Sequence, residues 1–297
     1  MSSTIQFRPA REDDLEPMYD VFYQNEIREE ENPPASGAVP PYLPHVLRSG
    51  KLVVAEQDGK TLGYTGAITR DNITYLTDLF VRPDVQSGRI GQRLLELAMP
   101  QDGLIHCTAS STDMRALSLY IRVGMQPQWP LFTLRLEKPA RALQGGNAEI
   151  EVSEADPADP ELAGWDTRVS GRSRFVDQQF WVDEQRGEPI WFRRGGQVIG
   201  YGYIRPGAGS LWYPQACTLG PIGVERAEDA TACVLAAVDQ ALQQADVVRI
   251  FVPGPHPSLA LLIERGFRIV YVDTFALAAE KPFFDEKRYI PSGDELL

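Results

Sequence analysis

The segment Thr77–Leu97 constrains the fold most strongly, because it changes from a strand pattern to a turn and then to a helix pattern. Within and just before it, Leu76–Val81 is a short apolar run, typical of a strand buried on both faces. Pro83 ends this run, since proline cannot donate to a sheet ladder. Beyond the turn, apolar residues recur at helical spacing, which predicts a helix starting at Gly88 or Arg89. A strand, a short loop and a helix start in this order form an anion-binding arrangement within a predicted mixed α/β unit.

The turn offers an anion several backbone donors. The first amides of a helix have no acceptor within the helix and lie at the positive end of its dipole. Gly88 and Gly91 allow a ligand to approach closely, and Arg89 and Arg93 add positive charge. The loop has neither the G-K-S/T ending of a Walker loop nor the G-x-G-x-x-G dinucleotide pattern. A diphosphate ligand of another kind is therefore expected.

Two motifs, in order along the chain, carry a family resemblance. Val81, Pro83, Gln86 and Gly91 match the pattern V-x-P-x-x-Q/R-x-x-G/A-x-G/A, with Arg89 in place of one small residue. This pattern resembles the acetyl-CoA motif of the GNAT superfamily, the CoA-dependent N-acetyltransferases.

The second motif follows at family-like spacing. The segment Asp113–Met125 is similar to the family's helix N-x-x-A-x-x-L-Y-x-x-x-G-F, with Asp113 replacing Asn and Met125 replacing Phe. Tyr120 falls on the motif's tyrosine, and Gly124 falls on its glycine.

The resemblance implies that an acetyl group passes from acetyl-CoA to a primary amine by direct attack in a ternary complex. In the family, the strand resembling Leu76–Val81 splays from the next one, here Leu104–Thr108, and pantetheine pairs with the exposed amides as an added strand would. Tyr120 would give its proton to the departing thiolate; the alternative is a core tyrosine. Asp78 would serve as general base, directly or through water, or as a structural hydrogen-bond acceptor.

The same resemblance implies a set of cofactor-binding residues in the strand, in the loop and at the start of the second-motif helix. They are Leu79, Phe80, Val81, Gln86, Ser87, Gly88, Arg89, Ile90, Gly91, Gln92 and Asp113.

An acidic segment follows the first predicted helix. Asn25–Gly37 carries a run of glutamates and is then broken by two prolines. In GNAT proteins the corresponding connection commonly borders the acceptor pocket, so Glu26, Glu29 and Glu30 are candidates for attracting an ammonium group. A solvated helix end followed by a loop is the alternative.

Composition narrows the class of protein and of partner. The chain has 297 residues, of which 43% are hydrophobic and 24% charged, as in ordinary soluble globular proteins. The net charge of 29 minus 41, or −12, argues against a nucleic-acid partner and suits a cationic small-molecule or peptide amine acceptor. No apolar run is long enough to span a membrane, and Met1–Arg8 lacks a signal-peptide pattern, so we expect a cytoplasmic protein. The histidines and cysteines show no ligand spacing, so we expect no metal, and Cys107, Cys217 and Cys233 are expected to be reduced core residues.

The second half repeats the first. Gly63-Tyr64 and Gly200-Tyr201 match at an offset of 200 minus 63, or 137. Gly124 and Gly266, each at the end of a similar helix, match at 266 minus 124, or 142. The chain is therefore predicted to be two tandem GNAT-like α/β domains, with residues 1–138 as the first, 139–147 as a linker and 148–297 as the second.

The second copy differs where chemistry would occur. Its turn after the strand at residues 216–223 reads V-E-R-A-E-D-A, which lacks glycine and carries negative charge. Leu262 stands where the first copy has Tyr120, and it has no proton to donate. These departures predict a degenerate second copy that does not bind CoA.

Two questions stay open in the sequence. The aromatic tail, residues 281–297, is expected to dock on its own chain or on the partner subunit of a homodimer. The alternative to an enzyme is a non-catalytic acyl-CoA binding, sensing or scaffold protein, which would not release CoA in response to an acceptor.

Overall fold

The computed structural model describes residues 4–86, 89–100, 103–137 and 149–297. They form two compact units, Met1–Thr108 with Leu296 and Ala109–Glu295 with Leu297. The predicted linker, residues 139–147, lies outside the described residues.

The described residues of the first unit form a mixed sheet with three α-helices. The sheet order is β1-β2-β3-β4-β5, antiparallel except for the parallel pair β4–β5. Its elements, with β5 crossing into the second unit, are β1 Gln6–Pro9, α1 Leu15–Glu26, α2 Tyr42–Ser49, β2 Lys51–Gln57, β3 Lys60–Arg70, β4 Ile73–Val81, α3 Ile90–Ala98 and β5 Ile105–Ser110.

Local sequence explains several of these elements. Asp58 and Gly59 form the turn between β2 and β3 with φ of 51° and 74°, because a tight hairpin turn of this kind needs two left-handed residues. The apolar face of α3 packs on the sheet, where Ile90 and Leu94 join a buried cluster with Val53 of β2. This packing fixes the start of α3 beside the end of β4.

The second unit is also a mixed sheet with helices. Its order is β12-β6-β11-β10-β9-β8-β7, and β13 pairs with β10 off this path. Its elements are α4 Met114–Arg122, β6 Gln126–Glu137, β7 Glu151–Glu154, α5 Pro160–Ser170, α6 Phe175–Asp183, β8 Glu188–Arg194, β9 Gln197–Arg205, β10 Cys217–Val224, α7 Ala227–Gln244, β11 Val247–Pro253, α8 Leu259–Glu264, β12 Arg268–Leu277 and β13 Tyr289–Ile290.

The core of the second unit is built around α7. Val234 and Val238 of this helix are fully buried in one cluster with Leu219 of β10 and Val248 of β11. All three cysteines of the chain are buried thiols, as predicted. The mixed α/β class predicted for the chain is confirmed in both units.

One strand of the first sequence repeat is built into the second unit. β6 pairs antiparallel with β11 over Leu131–Glu137, and on its other edge it pairs antiparallel with β12. The boundary of the first sequence repeat therefore differs from the boundary of the first compact unit, because β6 belongs to the first repeat and to the second unit. The boundaries 1–138 and 148–297 stay a prediction about the repeat.

Neither a membrane helix nor a metal cluster is found in the described ranges. No helix among these residues is long and apolar enough to cross a bilayer. The same residues contain no group of three or more His, Cys, Asp and Glu side chains placed to hold a metal ion.

Candidate active site

The strands β4 and β5 separate partway along their length. Their parallel pairing runs from Ile73↔Ile105 to Leu76↔Thr108 and ends there, whereas β4 continues to Val81. β4 is buried up to Leu76, but its last three residues are only half-buried. The far edge of β4 therefore offers the backbone of Leu79, Phe80 and Val81 to an extended ligand, as a sheet edge does in strand addition.

The loop after β4 is fastened to the end of α1. Gln86 Nε2 donates to the carbonyl oxygen of Val81 at 3.1 Å and to Asn25 Oδ1 at 3.2 Å. Asn25 Nδ2 also donates to the Val81 oxygen, at 3.2 Å. Because Gln86 bonds back to its own strand, it shapes the turn between β4 and α3. Asn25 was not singled out from the sequence, since its partners lie far along the chain.

The start of α3 has the form expected of an anion site. Arg89 precedes the helix in the left-handed conformation, with φ of 59° and ψ of 10°, and its side chain is exposed. The amides of Ile90, Gly91 and Gln92 open the helix, where helix geometry provides no acceptor. A Cβ at Gly91 would lie 3.6 Å from Val81 Cγ2, an ordinary contact. Ser87 and Gly88, predicted parts of this loop, lie outside the described residues.

A β-bulge sets the direction of Asp78. The pairing of β3 with β4 passes from Gly66↔Asp78 to Ala67↔Leu76, so Thr77 is the additional residue. One additional residue reverses the side to which the following side chains point. Asp78 is thereby only 3% exposed.

Three hydroxyl groups donate to the Asp78 carboxylate. Tyr42 and Tyr64 donate to Oδ1 at 2.8 Å and 3.1 Å, and Thr77 donates to Oδ2 at 2.7 Å. Burial, and then the Asp78 charge, raise the pKa of Tyr64 well above its ordinary value. These donors were not predicted, although Tyr64 belongs to the repeated Gly-Tyr pair.

The predicted acceptor segment lies against α1. Tyr23 of α1 donates to the carbonyl oxygen of Pro34 at 2.7 Å, and Tyr19 donates to that of Ser36. Within this region Glu26 is half-buried, whereas Glu29 and Glu30 are exposed.

Aromatic rings of α1 and β3 pack on the Phe80 ring of β4. Phe22 of α1 meets Phe80 edge-to-face with centroids 5.2 Å apart, and Tyr64 stacks on Phe80 at 5.7 Å. The strand proposed to hold a ligand is therefore supported by a firm aromatic layer.

Tyr120 and Asp113 lie on α4, in the second unit. Tyr120 is 6% exposed, and its carbonyl oxygen accepts from the amide of Met125 at 3.1 Å. Asp113 is the N-cap of α4 and accepts from the Arg115 amide at 2.8 Å. Hydrogen bonding from the Arg115 side chain lowers the pKa of Asp113. The structure thus gives Asp113 a capping contact, and its predicted cofactor contact stays a prediction.

The two sequence repeats have matching backbone features. Gly124 and Gly266 end their helices with φ of 96° and 98°. The amide of Phe267 donates to Leu262 as that of Met125 donates to Tyr120, each at 3.1 Å. Leu262 therefore occupies the position equivalent to Tyr120.

A second equivalence concerns Asp78. Gly63 pairs with Val81 in the first repeat, and Gly200 pairs with Val224 in the second. Counting three residues back along each strand makes Pro221 the equivalent of Asp78, and proline has no acidic group. Only Glu225 and Arg226 separate β10 from α7.

The comparisons with known proteins agree with this geometry. Residues 48–126 match the family model described as Acetyltransferase (GNAT) domain. Residues 48–126 are therefore similar to a GNAT domain. The predicted resemblance is thereby confirmed, and the family model covers less than half of the chain. No curated protein sequence matches this chain significantly.

Several solved structures share the fold of this chain. A presumed acetyltransferase from Pyrococcus horikoshii is 16% identical, with a TM-score of 0.74 over 98% of this chain and 95% of that one. A fungal GCN5-related glucosamine N-acetyltransferase region, within a multi-domain GH3 β-N-acetylglucosaminidase, is 16% identical, with a TM-score of 0.70 over 93% of this chain and 38% of that one. A tandem GNAT protein from the clavulanic acid biosynthesis pathway is 16% identical, with a TM-score of 0.63 over 94% of this chain and all of that one.

The match to a GNAT domain supports acyl transfer as the general reaction, and GNAT proteins use acetyl-CoA. The residues present fit this group, because β4 provides an open edge beside a helix start. The degenerate state of the second repeat stays a prediction.

Proposed function

We propose that the chain is an N-acetyltransferase whose first half transfers an acetyl group from acetyl-CoA to a primary amine. The observation that carries this proposal is the divergence of β4 from β5 beyond Leu76, next to the start of α3. The three cysteines are buried thiols, which suits a reducing compartment and favours the cytoplasm.

The chain's own residues would hold the cofactor in two places. The backbone of Leu79, Phe80 and Val81 would pair with its extended arm, and the loop from Gln86 to Gln92 would donate amides to its phosphates. The exposed Arg89 adds positive charge at the same end. Bound acetyl-CoA supplies a thioester-activated acetyl group.

Asp78 is proposed to receive the proton that the attacking amine loses. Because Asp78 is buried, that proton would travel through the hydroxyl of Tyr42, which donates to Oδ1 at 2.8 Å. The hydroxyl of Tyr120 is proposed to provide the proton for the thiolate that leaves. The two residues thus hold opposite proton-transfer roles.

The acceptor is proposed to be a small-molecule or peptide amine. The glutamates Glu26, Glu29 and Glu30 would draw its ammonium form towards the site, in keeping with the net charge of −12. The fungal neighbour named for glucosamine N-acetylation makes amino sugars a reasonable first group in a panel of amines.

Titration calorimetry with acetyl-CoA, followed by an assay of CoA release with an amine panel, tests the proposal. We expect one acetyl-CoA per chain and CoA release that depends on the amine. Binding without amine-dependent release would instead identify an acyl-CoA binding protein. No binding would refute the proposal altogether.

Tyr120→Phe tests the proposed acid. Turnover should fall about a hundredfold, while acetyl-CoA affinity changes less than about threefold. Tyr203→Phe is the matched control, because it removes a hydroxyl from another buried tyrosine of the second unit. Equal turnover in the two variants would contradict the role of Tyr120.

A further inference from the structure

The second repeat has its own open strand edge, and that edge is filled. The parallel pairing of β10 with β11 ends at Leu219↔Ile250, whereas β10 continues to Val224. Beyond Leu219, β13 pairs antiparallel with β10 through Ile222↔Ile290 and Gly223↔Tyr289. The amide of Val224 also donates to the carbonyl oxygen of Arg288 at 3.0 Å.

This edge is equivalent to the proposed cofactor edge of the first repeat. With Val81 matched to Val224, Leu76 corresponds to Leu219, and each is the last residue paired with the neighbouring parallel strand. A register shift follows each of them in the pairing on the opposite edge. The C-terminal segment, residues 283–297, therefore occupies in the second repeat the place that an extended ligand would take in the first.

Buried arginines hold the C-terminal segment. Arg174 donates to Leu297 O at 2.6 Å and to the hydroxyl of Tyr289. Arg172 also donates to Leu297 O, and Arg205 donates to Ser292 O. Since buried guanidinium groups are costly without acceptors, these arginines fit an occupied edge better than an open one.

Asp166 fixes the central arginine of this set. Its Oδ2 accepts a hydrogen bond from Arg174 Nε at 2.9 Å and its Oδ1 accepts one from Arg174 Nη2 at 2.8 Å, and both side chains are fully buried. Tyr201, the second repeat's copy of Tyr64, donates to Asp166 Oδ1 at 2.5 Å. The repeated tyrosine therefore serves peptide binding here, whereas its counterpart contacts Asp78.

Two glycines make room for the backbone of the segment. A Cβ on Gly171 would collide with the carbonyl oxygen of Phe283, and Gly171 has φ of 74°. A Cβ on Gly220 would collide with the carbonyl oxygen of Pro291. Gly220 corresponds to Thr77 of the first repeat, so the small residue lies where the segment passes.

We propose that the edge of β10 from Gly220 to Val224, with Arg172, Arg174 and Arg205, is a peptide-binding groove whose ligand is the chain's own C-terminal segment. The two-residue turn between β10 and α7 leaves little backbone to bind a diphosphate, and it carries Glu225. The groove recognises an extended peptide by strand addition and by arginine contacts to backbone oxygens. The proposal goes beyond the acetyl transfer assigned to the first half.

The test cuts the covalent link between the C-terminal segment and the rest of the chain while both parts stay in solution. A site-specific protease sequence is inserted between the exposed residues Glu280 and Lys281, the chain is cut, and the fragments are passed through a sizing column. The cut segment should stay bound. After its displacement at high dilution, a fluorescent peptide of residues 283–297 should rebind at one site per chain.

Matched peptides examine the contacts. An Ile290→Asp peptide should bind at least about thirtyfold more weakly, because Ile290 is fully buried beside Ile222. A Lys287→Ala peptide is the control, since the Lys287 side chain is exposed, and it should bind within about twofold of the original. Failure of the peptide to rebind to a still-folded chain would overturn the proposal, as would equal binding of both peptides. A second acetyl-CoA site appearing in the emptied chain would also overturn it.

If the chain unfolds once the C-terminal segment is displaced, a measurement on the uncut chain tests the peptide-binding groove instead. Tyr289→Phe removes the hydroxyl that accepts from Arg174 and leaves the ring in place. Hydrogen exchange at the Val224 amide should then accelerate about tenfold, whereas Tyr203→Phe should leave it unchanged. Unchanged exchange in Tyr289→Phe would overturn the proposal.

Discussion

Gly63→Ala should damage both the stability of the chain and its cofactor edge. A Cβ at Gly63 would lie 2.6 Å from the carbonyl oxygen of Phe80, while real Cβ contacts essentially never fall below 3.0 Å. The strands β3 and β4 must therefore separate by at least 3.0 minus 2.6, or 0.4 Å, at this point. The obstacle is backbone, so no side-chain rotation can relieve it.

The magnitude follows from overpacking. Forcing a methyl group into a packed site costs about 1–3 kcal/mol, and the smaller conformational freedom of alanine in the unfolded chain returns about 0.5–1 kcal/mol. The net loss in free energy of unfolding should be about 1 kcal/mol, within a range of about 0–2.5 kcal/mol. Because Phe80 and Val81 lie on the displaced edge, acetyl-CoA affinity should fall about tenfold.

Gly200→Ala is a matched control provided by the repeat. Its Cβ would lie 2.6 Å from the carbonyl oxygen of Gly223, the same clash in the second repeat. The control should lose similar stability in urea unfolding while acetyl-CoA affinity, measured by calorimetry, stays within about twofold. Equal losses of affinity in the two variants, or full stability in both, would refute the reasoning.

Three further predictions concern stability, each measured by denaturant unfolding. Arg89→Gly should stabilise the chain by about 1 kcal/mol, because it removes a side chain from the left-handed conformation, and a loss of stability would contradict this. Gly91→Ala should stabilise α3 by about 0.5–1 kcal/mol, since its Cβ makes only an ordinary contact at 3.6 Å. Burial lowers the pKa of His256 from 6.5 to about 4, so the unfolded chain binds a proton at this imidazole more tightly than the folded chain does. The free energy of unfolding should therefore fall by roughly 3 kcal/mol as the pH drops from above 6.5 to below 4. His256→Gln should flatten that dependence, and an unchanged slope would disprove its cause.

Local patterns were sufficient for most elements of the site. The apolar run of the strand, the proline after β4 and the helical spacing beyond it depend on neighbouring residues, which explains why the strand–loop–helix order was predictable. The two family motifs added the position of the loop. The candidate cofactor edge is the part of β4 beyond its last pair with β5. The resemblance implied that these two strands separate, and the structure contains that separation.

The environment of Asp78 was not predictable in the same way. Tyr42 comes from a helix 36 residues earlier and Tyr64 from the adjacent strand. The bulge at Thr77, which turns Asp78 inward, leaves no pattern in side-chain polarity. Hydrogen bonds between residues distant in the chain are fixed by packing and not by local sequence.

The sequence by itself determined the mixed α/β class of the chain, and it also predicted a repeat and a phosphate-type turn in one copy. These properties depend on periodicity and spacing, which act within a few residues. Only the tertiary structure decided that β6 lies between β11 and β12, and that the C-terminal segment completes the edge of β10. Strand partners are chosen through backbone hydrogen bonds, which every residue except proline can both donate and accept, so the side-chain sequence alone does not specify them.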